Sequence, residues 1–205
     1  MVSRQLALRL SPVLAFYQVD VGEAEGLLIS WRHPLHLPDA EYPRGRPYTR
    51  PFGRMAFIME NRSRAAATVI LASTVNSSVC RQQGLHRYNT IDLARIARNP
   101  DHRDQHSLRA VLRIAREYLA PLWLGTYVNW DARSAELCGQ PQIAAMSSTS
   151  LPGTPGSMYR FDGFERLRTS KGAKGGGHQK PSVANAIADG ARGLWVYRYP
   201  EPLRP

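Results

Sequence analysis

Short apolar runs of strand length, interleaved with helical stretches, predict an α/β domain. Three observations carry this reading. Residues 12–19 (PVLAFYQV) are apolar, β-branched or aromatic at most positions, which suits a buried strand. Residues 54–60 (RMAFIME) and 66–73 (AATVILAS) are two further such runs separated by the polar tetrapeptide Asn61-Arg62-Ser63-Arg64, a pattern that suits an antiparallel hairpin. Between Arg103 and Leu119 the apolar residues Leu108, Val111, Leu112, Ile114, Ala115, Tyr118 and Leu119 recur at spacings of three and four, as in an amphipathic helix.

The remaining elements follow in order. Asp20 and Glu23 form a D-x-x-E variant of the capping box ahead of a helix over residues 22–31. Residues 33–53 hold five prolines and are expected as a long loop. Residues 90–98 (TIDLARIAR) suit a strand interrupted by Pro100, and Pro121 is expected to stop the long helix. Residues 143–148 (IAAMSS) suit a short buried strand, residues 152–161 a short helix, residues 164–169 a strand and residues 193–199 (GLWVYRY) a terminal strand. Residues 170–181 form a Gly/Lys-rich loop. At 205 residues and 43% hydrophobic content, one core and one domain over 1–205 are expected.

Composition narrows the function classes. No stretch approaches the length of an apolar transmembrane helix and the N-terminal residues are too charged for a signal peptide, so a cytoplasmic protein is expected. Cys80 and Cys138 lack metal-ligand spacing, which points to neither a disulfide framework nor a zinc site. Twenty-seven Lys and Arg against 16 Asp and Glu leave a net charge of +11, which favours a polyanionic or phosphorylated partner. Lys171, Lys174 and Lys180, set among glycines, could follow a phosphate backbone, and a solvated loop accounts for them equally well. His33 and His36 could orient a substrate base, although histidines in a Pro-rich loop are more often solvated. Arg95 within a strand needs a partner if it points inward.

The strand-to-helix connection Ile96-Ala97-Arg98-Asn99-Pro100-Asp101-His102-Arg103-Asp104-Gln105-His106-Ser107-Leu108 is the most informative stretch. A turn that opens a long helix presents backbone N–H groups beside the positive end of the helix dipole, an arrangement that binds pyrophosphate. The same stretch is an ordinary strand–turn–helix connection in any α/β fold, with Asp101 or Asp104 near the N-cap.

This stretch resembles the cofactor motif of the GNAT acetyltransferase superfamily, with Pro100 and Arg103 matching and His106 and Leu108 replacing its glycines. Residues 156–166 (GSMYRFDGFER) resemble the later motif of the same superfamily, in which a Tyr on a short helix precedes a Gly-Phe pair. The resemblance implies a mixed, mostly antiparallel sheet flanked by helices. It also implies acetyl-CoA or a related acyl-CoA-like donor bound near Arg98, Arg103, Asp104, Gln105, His106 and Ser107, and Tyr159 as the group that protonates the leaving thiolate. Within the superfamily, residues 31–38 (WRHPLHLP), 93–97 (LARIA), Met146-Ser147-Ser148 with 156–159, and 194–197 (LWVY) look like the phage Mu Mom-type DNA-modifying proteins. That likeness implies transfer to adenine in double-stranded DNA, N6-carbamoylmethylation or a related acyl-type transfer, with Tyr159, Ser147, Ser148 and Arg95 as candidate catalytic residues. It also puts His33, His36 and the three lysines at the DNA. Thr149 or Ser150 stands where the family tends to carry an Asp, and residues 121–141 look like an insertion. A GNAT N-acetyltransferase acting on a small-molecule or protein amine, and a non-catalytic nucleic-acid-binding domain, are the alternatives.

Overall fold

The computed structural model describes residues 4–11, 14–38, 42–45, 53–74, 84–85, 89–102, 106–126, 142–151, 154–170 and 192–204. Strands β1 (Gln5–Ser11), β2 (Leu14–Val19), β3 (Met55–Asn61), β4 (Arg64–Ser73), β5 (Thr90–Arg98), β6 (Ile143–Thr149), β7 (Glu165–Ser170) and β8 (Arg192–Leu203) form one sheet in the order β1-β2-β3-β4-β5-β6-β8-β7. Only β5 and β6 pair parallel among them. A parallel neighbour requires a crossover, and the long helical segment between these two strands belongs to it.

β1 is not anticipated by the sequence reading above. Its strand alternates Leu6, Leu8 and Leu10 with other residues, but it lies at the sheet edge and leaves Leu6 and Leu10 exposed. The guanidinium of Arg4 ties this end down, donating to the carboxylates of Glu23 and Glu60. Helix α1 (Val21–Ser30) starts where expected: the Asp20 carboxylate accepts from the Gly22 amide at 2.7 Å. The capping box is half formed, because Glu23 takes Arg4 as its partner. The β3–β4 hairpin turns on Arg62 and Ser63 alone, both at positive φ, the left-handed pair that a two-residue hairpin demands.

The sheet buries two faces. On one, Ala24 and Leu28 of α1 pack with Ala56, Ile58, Ile70 and Ala97. On the other, Phe57, Val69, Leu71, Ile91 and Leu93 meet Val111, Leu112, Leu119, Trp123 and Leu124 of the crossover. That helical segment overruns its expected stop. α2 (Ser107–Ile114) passes through a π-helical turn (Ala115–Leu119) into α3 (Ala120–Thr126), which contains Pro121. Proline lacks the N–H that would continue the ladder, and the wider turn ends immediately before it, with the Ala120 amide donating to the Ala115 carbonyl. The next carbonyl, Arg116 O, accepts instead from the Tyr199 hydroxyl at 2.8 Å. Burial raises the Tyr199 pKa and keeps that phenol a donor. α4 (Ser157–Phe161) leads into β7. None of the described helices is long and apolar enough to cross a membrane.

Candidate functional site

The site originates in one irregularity of β5. Leu71 of β4 faces Leu93 and Ile70 faces Arg95, so Ala94 is an extra residue on β5, a β-bulge. A bulge bends its strand and re-aims the side chains next to it. The parallel register of β5 with β6 runs from Thr90–Ala145 to Leu93–Ser148 and ends there, although β5 continues to Arg98. Beyond that point the strands part, and residues 94–98 have no strand neighbour on that side among the described residues.

A cavity of about 330 Å³ occupies the gap. Leu93 through Ile96 and Ser148 through Ser150 line it, with Leu108 of α2, the first turn of α4, and His33 and Leu35 from beyond α1. Its lining combines residues from beyond α1 with residues of α2 and α4. No Asp or Glu is among the described lining residues.

Tyr159 stands at the apex. The residue is 5% exposed, its ring stacked on Trp195 at 5.6 Å and edge-on to Phe164 at 5.6 Å. Ser148 Oγ lies 3.0 Å from Tyr159 Oη and 3.2 Å from the Leu93 carbonyl oxygen. Burial is the chief reason that the phenol pKa is pushed up to about 12; the Ser148 hydrogen bond acts the other way, and the Asp92 charge adds to the rise. Tyr159 therefore holds its proton at neutral pH.

Gly156, the N-cap of α4, has φ +64° and packs its Cα side directly on the Trp195 indole. The Trp195 ring in turn stacks on Tyr159, and its buried Nε1 has no hydrogen-bond partner among the described residues. Asp162, just past α4, is buried and receives Arg109 at 3.2 Å and Arg113 at 3.4 Å, while Arg116 donates to its carbonyl at 2.5 Å. These three arginines lie on successive turns of the crossover helix and clamp α4 against it.

The remaining candidates divide. Arg95 lines the cavity; its Nε donates to His36 Nε2 at 2.9 Å and its Nη1 to the Ala94 carbonyl at 2.6 Å. His36 is completely buried, which corrects the expectation of a solvated pair, and it accepts from Arg95 without lining the cavity itself. The proline-rich segment forms a short 3₁₀ turn, Pro34–His36, against the sheet, which is why that histidine is enclosed. His33 does line the cavity, its Nδ1 accepting from the Leu35 amide at 3.3 Å. Burial first, then Arg95 and His36, push its pKa down to about 3, so the imidazole is neutral with its remaining proton on Nε2.

Ser147 turns the other way from Ser148, as strand alternation requires, and donates to Asp92 Oδ1 at 2.8 Å outside the cavity lining. Asp92 itself escaped the sequence reading, although a carboxylate inside an apolar strand was the available signal. Arg98 ends β5, and His106 and Ser107 begin α2, none of them lining the cavity. The turn expected to offer amides to phosphate is partly committed: the Asn99 amide donates to Ala66 O, the Asp101 amide to Asn99 Oδ1 and the His102 amide to Asn99 O. Asn99 folds the turn back on itself, so these three amides are not phosphate ligands. Arg103, Asp104 and Gln105, together with Lys171, Lys174 and Lys180, lie outside the described residues.

No family model matches the chain, and no curated protein matches it in sequence. Solved structures do match in shape. A Bacillus subtilis acetyltransferase in complex with CoA aligns with TM-score 0.52 at 11% identity over 97% of this chain and 99% of that one. An agmatine N-acetyltransferase mutant aligns at 0.53 and 14% identity over 91% and 100%. The ribosomal-protein-S18-alanine N-acetyltransferase of Escherichia coli aligns at 0.50 and 11% over 94% and 95%. The parted parallel strands, the mostly antiparallel sheet around them and the crossover helix thus constitute a GNAT-type acetyltransferase fold.

Proposed function

We propose that this chain is an acyl-CoA-dependent N-acyltransferase in which Tyr159 supplies the proton taken up by the departing sulfur. The carrying observation is the phenol of Tyr159 at the apex of the parted β5–β6 pair, kept protonated and hydrogen-bonded to Ser148. The open edge of β5 and the apolar lining from Leu93, Ile96, Leu108 and Met158 fit an extended, amide-bearing arm. Acyl-CoA supplies an activated thioester acyl group and a thiolate leaving group. The chain's own residues do the rest: apolar side chains line the cavity, Tyr159 holds a proton at Oη, and His33, neutral, is among the lining residues.

Acetyl-CoA incubated with the purified protein and a panel of amines should release thiol and label the acceptor. Tyr159→Phe should lower that rate by roughly 10²- to 10⁴-fold, the contribution of a general acid. Absence of thiol release with every acceptor, together with no CoA binding, would exclude the reading.

Adenine in double-stranded DNA, modified as in Mom-type proteins, is the second reading for the acceptor. The net charge of +11 and the lack of carboxylates among the described cavity residues favour an acceptor attached to anions over a polyamine. The base would have to leave the duplex to reach the cavity. Digestion of DNA from an expressing bacterial host, followed by nucleoside mass analysis, separates the two: an adenosine adduct supports DNA, and unmodified nucleosides with acylated amines support the first.

A further inference from the structure

Ser148 occupies the last register position before β5 and β6 part, and it is 1% exposed. Its Oγ lies between two oxygens, the Leu93 carbonyl at 3.2 Å and Tyr159 Oη at 3.0 Å. A serine hydroxyl has one proton and can donate to only one of them at a time. The oxygen positions allow Ser148 to donate to either; when it donates to the Leu93 carbonyl, the neutral phenol can donate in series to Ser148 Oγ. Once the phenol has lost its proton that chain no longer works, because the phenolate oxygen can only accept.

The surroundings offer the phenolate little else. Trp195 and Phe164 pack the ring with carbon. The Asp92 carboxylate opposes a second negative charge, and the neighbouring Ser147 hydroxyl is committed to Asp92 Oδ1. Ser148 Oγ is the one hydrogen-bond partner of Tyr159 Oη among the described residues.

We propose that Ser148 is a positioning residue whose hydroxyl turns from the Leu93 carbonyl to Tyr159 Oη as the phenol releases its proton, so that the buried phenolate keeps a donor. This rests on the reading of Tyr159 as the proton donor. In the step, the Tyr159 O–H bond breaks, the proton joins the departing sulfur and the electron pair stays on Oη. Ser148 keeps its own proton throughout and changes only its acceptor. The proton shed by the acylated nitrogen of the acceptor returns to Oη, and Ser148 turns back to Leu93. The rotation needs no side-chain displacement, which suits a hydroxyl packed at the base of a narrow cleft.

A double-mutant cycle over Tyr159→Phe and Ser148→Ala tests this, with kcat and donor KM read from thiol release with acetyl-CoA. Ser148→Ala should lower kcat about 10- to 100-fold, the range for losing one hydrogen bond to a charged group, and leave the donor KM unchanged. In the Tyr159→Phe background, where no phenolate forms, the same change should have no further effect on kcat. Ser148→Thr and Ser148→Val, alike in shape and differing in the hydroxyl, give the same comparison should the alanine variant fold poorly, and Thr should retain most of the activity that Val loses. An equal loss from Ser148→Ala in both backgrounds makes the residue structural and overturns the proposal, as does full activity of Ser148→Ala or of Ser148→Val. Wild-type activity in Tyr159→Phe overturns the tyrosine reading itself, and the proposal with it.

Discussion

Replacing Gly156 by alanine tests the packing that holds Tyr159. The residue sits at φ +64°, where a side chain costs about 1–2 kcal/mol for its clash with the following carbonyl. The new Cβ would lie 2.8 Å from Trp195 Nε1 and closer still to ring carbons Cε2 and Cζ2, so the indole or the turn must move. Forcing one methyl into a packed interior costs a further 1–3 kcal/mol, roughly. The two together come to about 2–5 kcal/mol, a large share of the ~5–15 kcal/mol typical of a domain. Gly26 is the control: it lies inside α1, a Cβ there meets nothing within 4 Å, and Gly26→Ala should stabilise by about 0.5–1 kcal/mol. Urea unfolding measures both. Because Trp195 stacks on Tyr159, Gly156→Ala should also lower the transfer rate in the fraction that remains folded. A Gly156→Ala protein within about 0.5 kcal/mol of wild type, against the ordinary scatter of surface changes, would refute the claim that the indole is wedged there.

Other expectations follow from the same geometry. Asp162→Ala removes a buried carboxylate that anchors Arg109 and Arg113; with both arginines largely solvated, the expected cost is about 1–3 kcal/mol by urea unfolding, and no change in midpoint would show that the clamp is ornamental. His33 has a folded pKa of about 3 against about 6.5 unfolded, so only the unfolded chain takes up a proton between these values. Stability is therefore full above pH 6.5 and falls as the pH drops toward 3, by about 1–3 kcal/mol at pH 4.5 from this group; His33→Gln should flatten that limb, and an unaltered slope would argue against a buried neutral imidazole. Arg95→Lys loses the Nε donor to His36 and should raise acceptor KM more than donor KM in initial-rate measurements, whereas equal effects would place Arg95 with the donor.

Much of the fold was legible because local chemistry is short-ranged. The strands at 55–61, 64–73 and 90–98 announce themselves as apolar runs, and Asp20 announces α1 by a hydrogen bond two residues away. Tyr159 and Ser148 were also within reach, because the motif resemblance fixes their order along the chain. Other features depended on distant partners. Pro121 reads as a helix stop until Tyr199, far along the chain, supplies the hydrogen bond that proline withholds. His36 reads as solvated until the sheet closes over it and Arg95 turns to meet it.

The amino-acid sequence by itself determined most of the strands and helices from β2 onward, the excess of positive charge and the residue types available for proton transfer, while the edge strand β1 and the helix beyond Pro121 were not legible in it. Only the tertiary structure decided which serine faces the cleft. Ser147 and Ser148 are adjacent and chemically identical, and strand alternation sends one to Asp92 and the other to Tyr159; which goes where is set by the register of β6 against β5, and the opening beside it by a single bulged residue, Ala94. Register and bulge are properties of paired strands: Ser148 lies 55 residues from Leu93 in the chain, and the bulge at Ala94 arises only once β5 is laid against β4, with Leu71 facing Leu93.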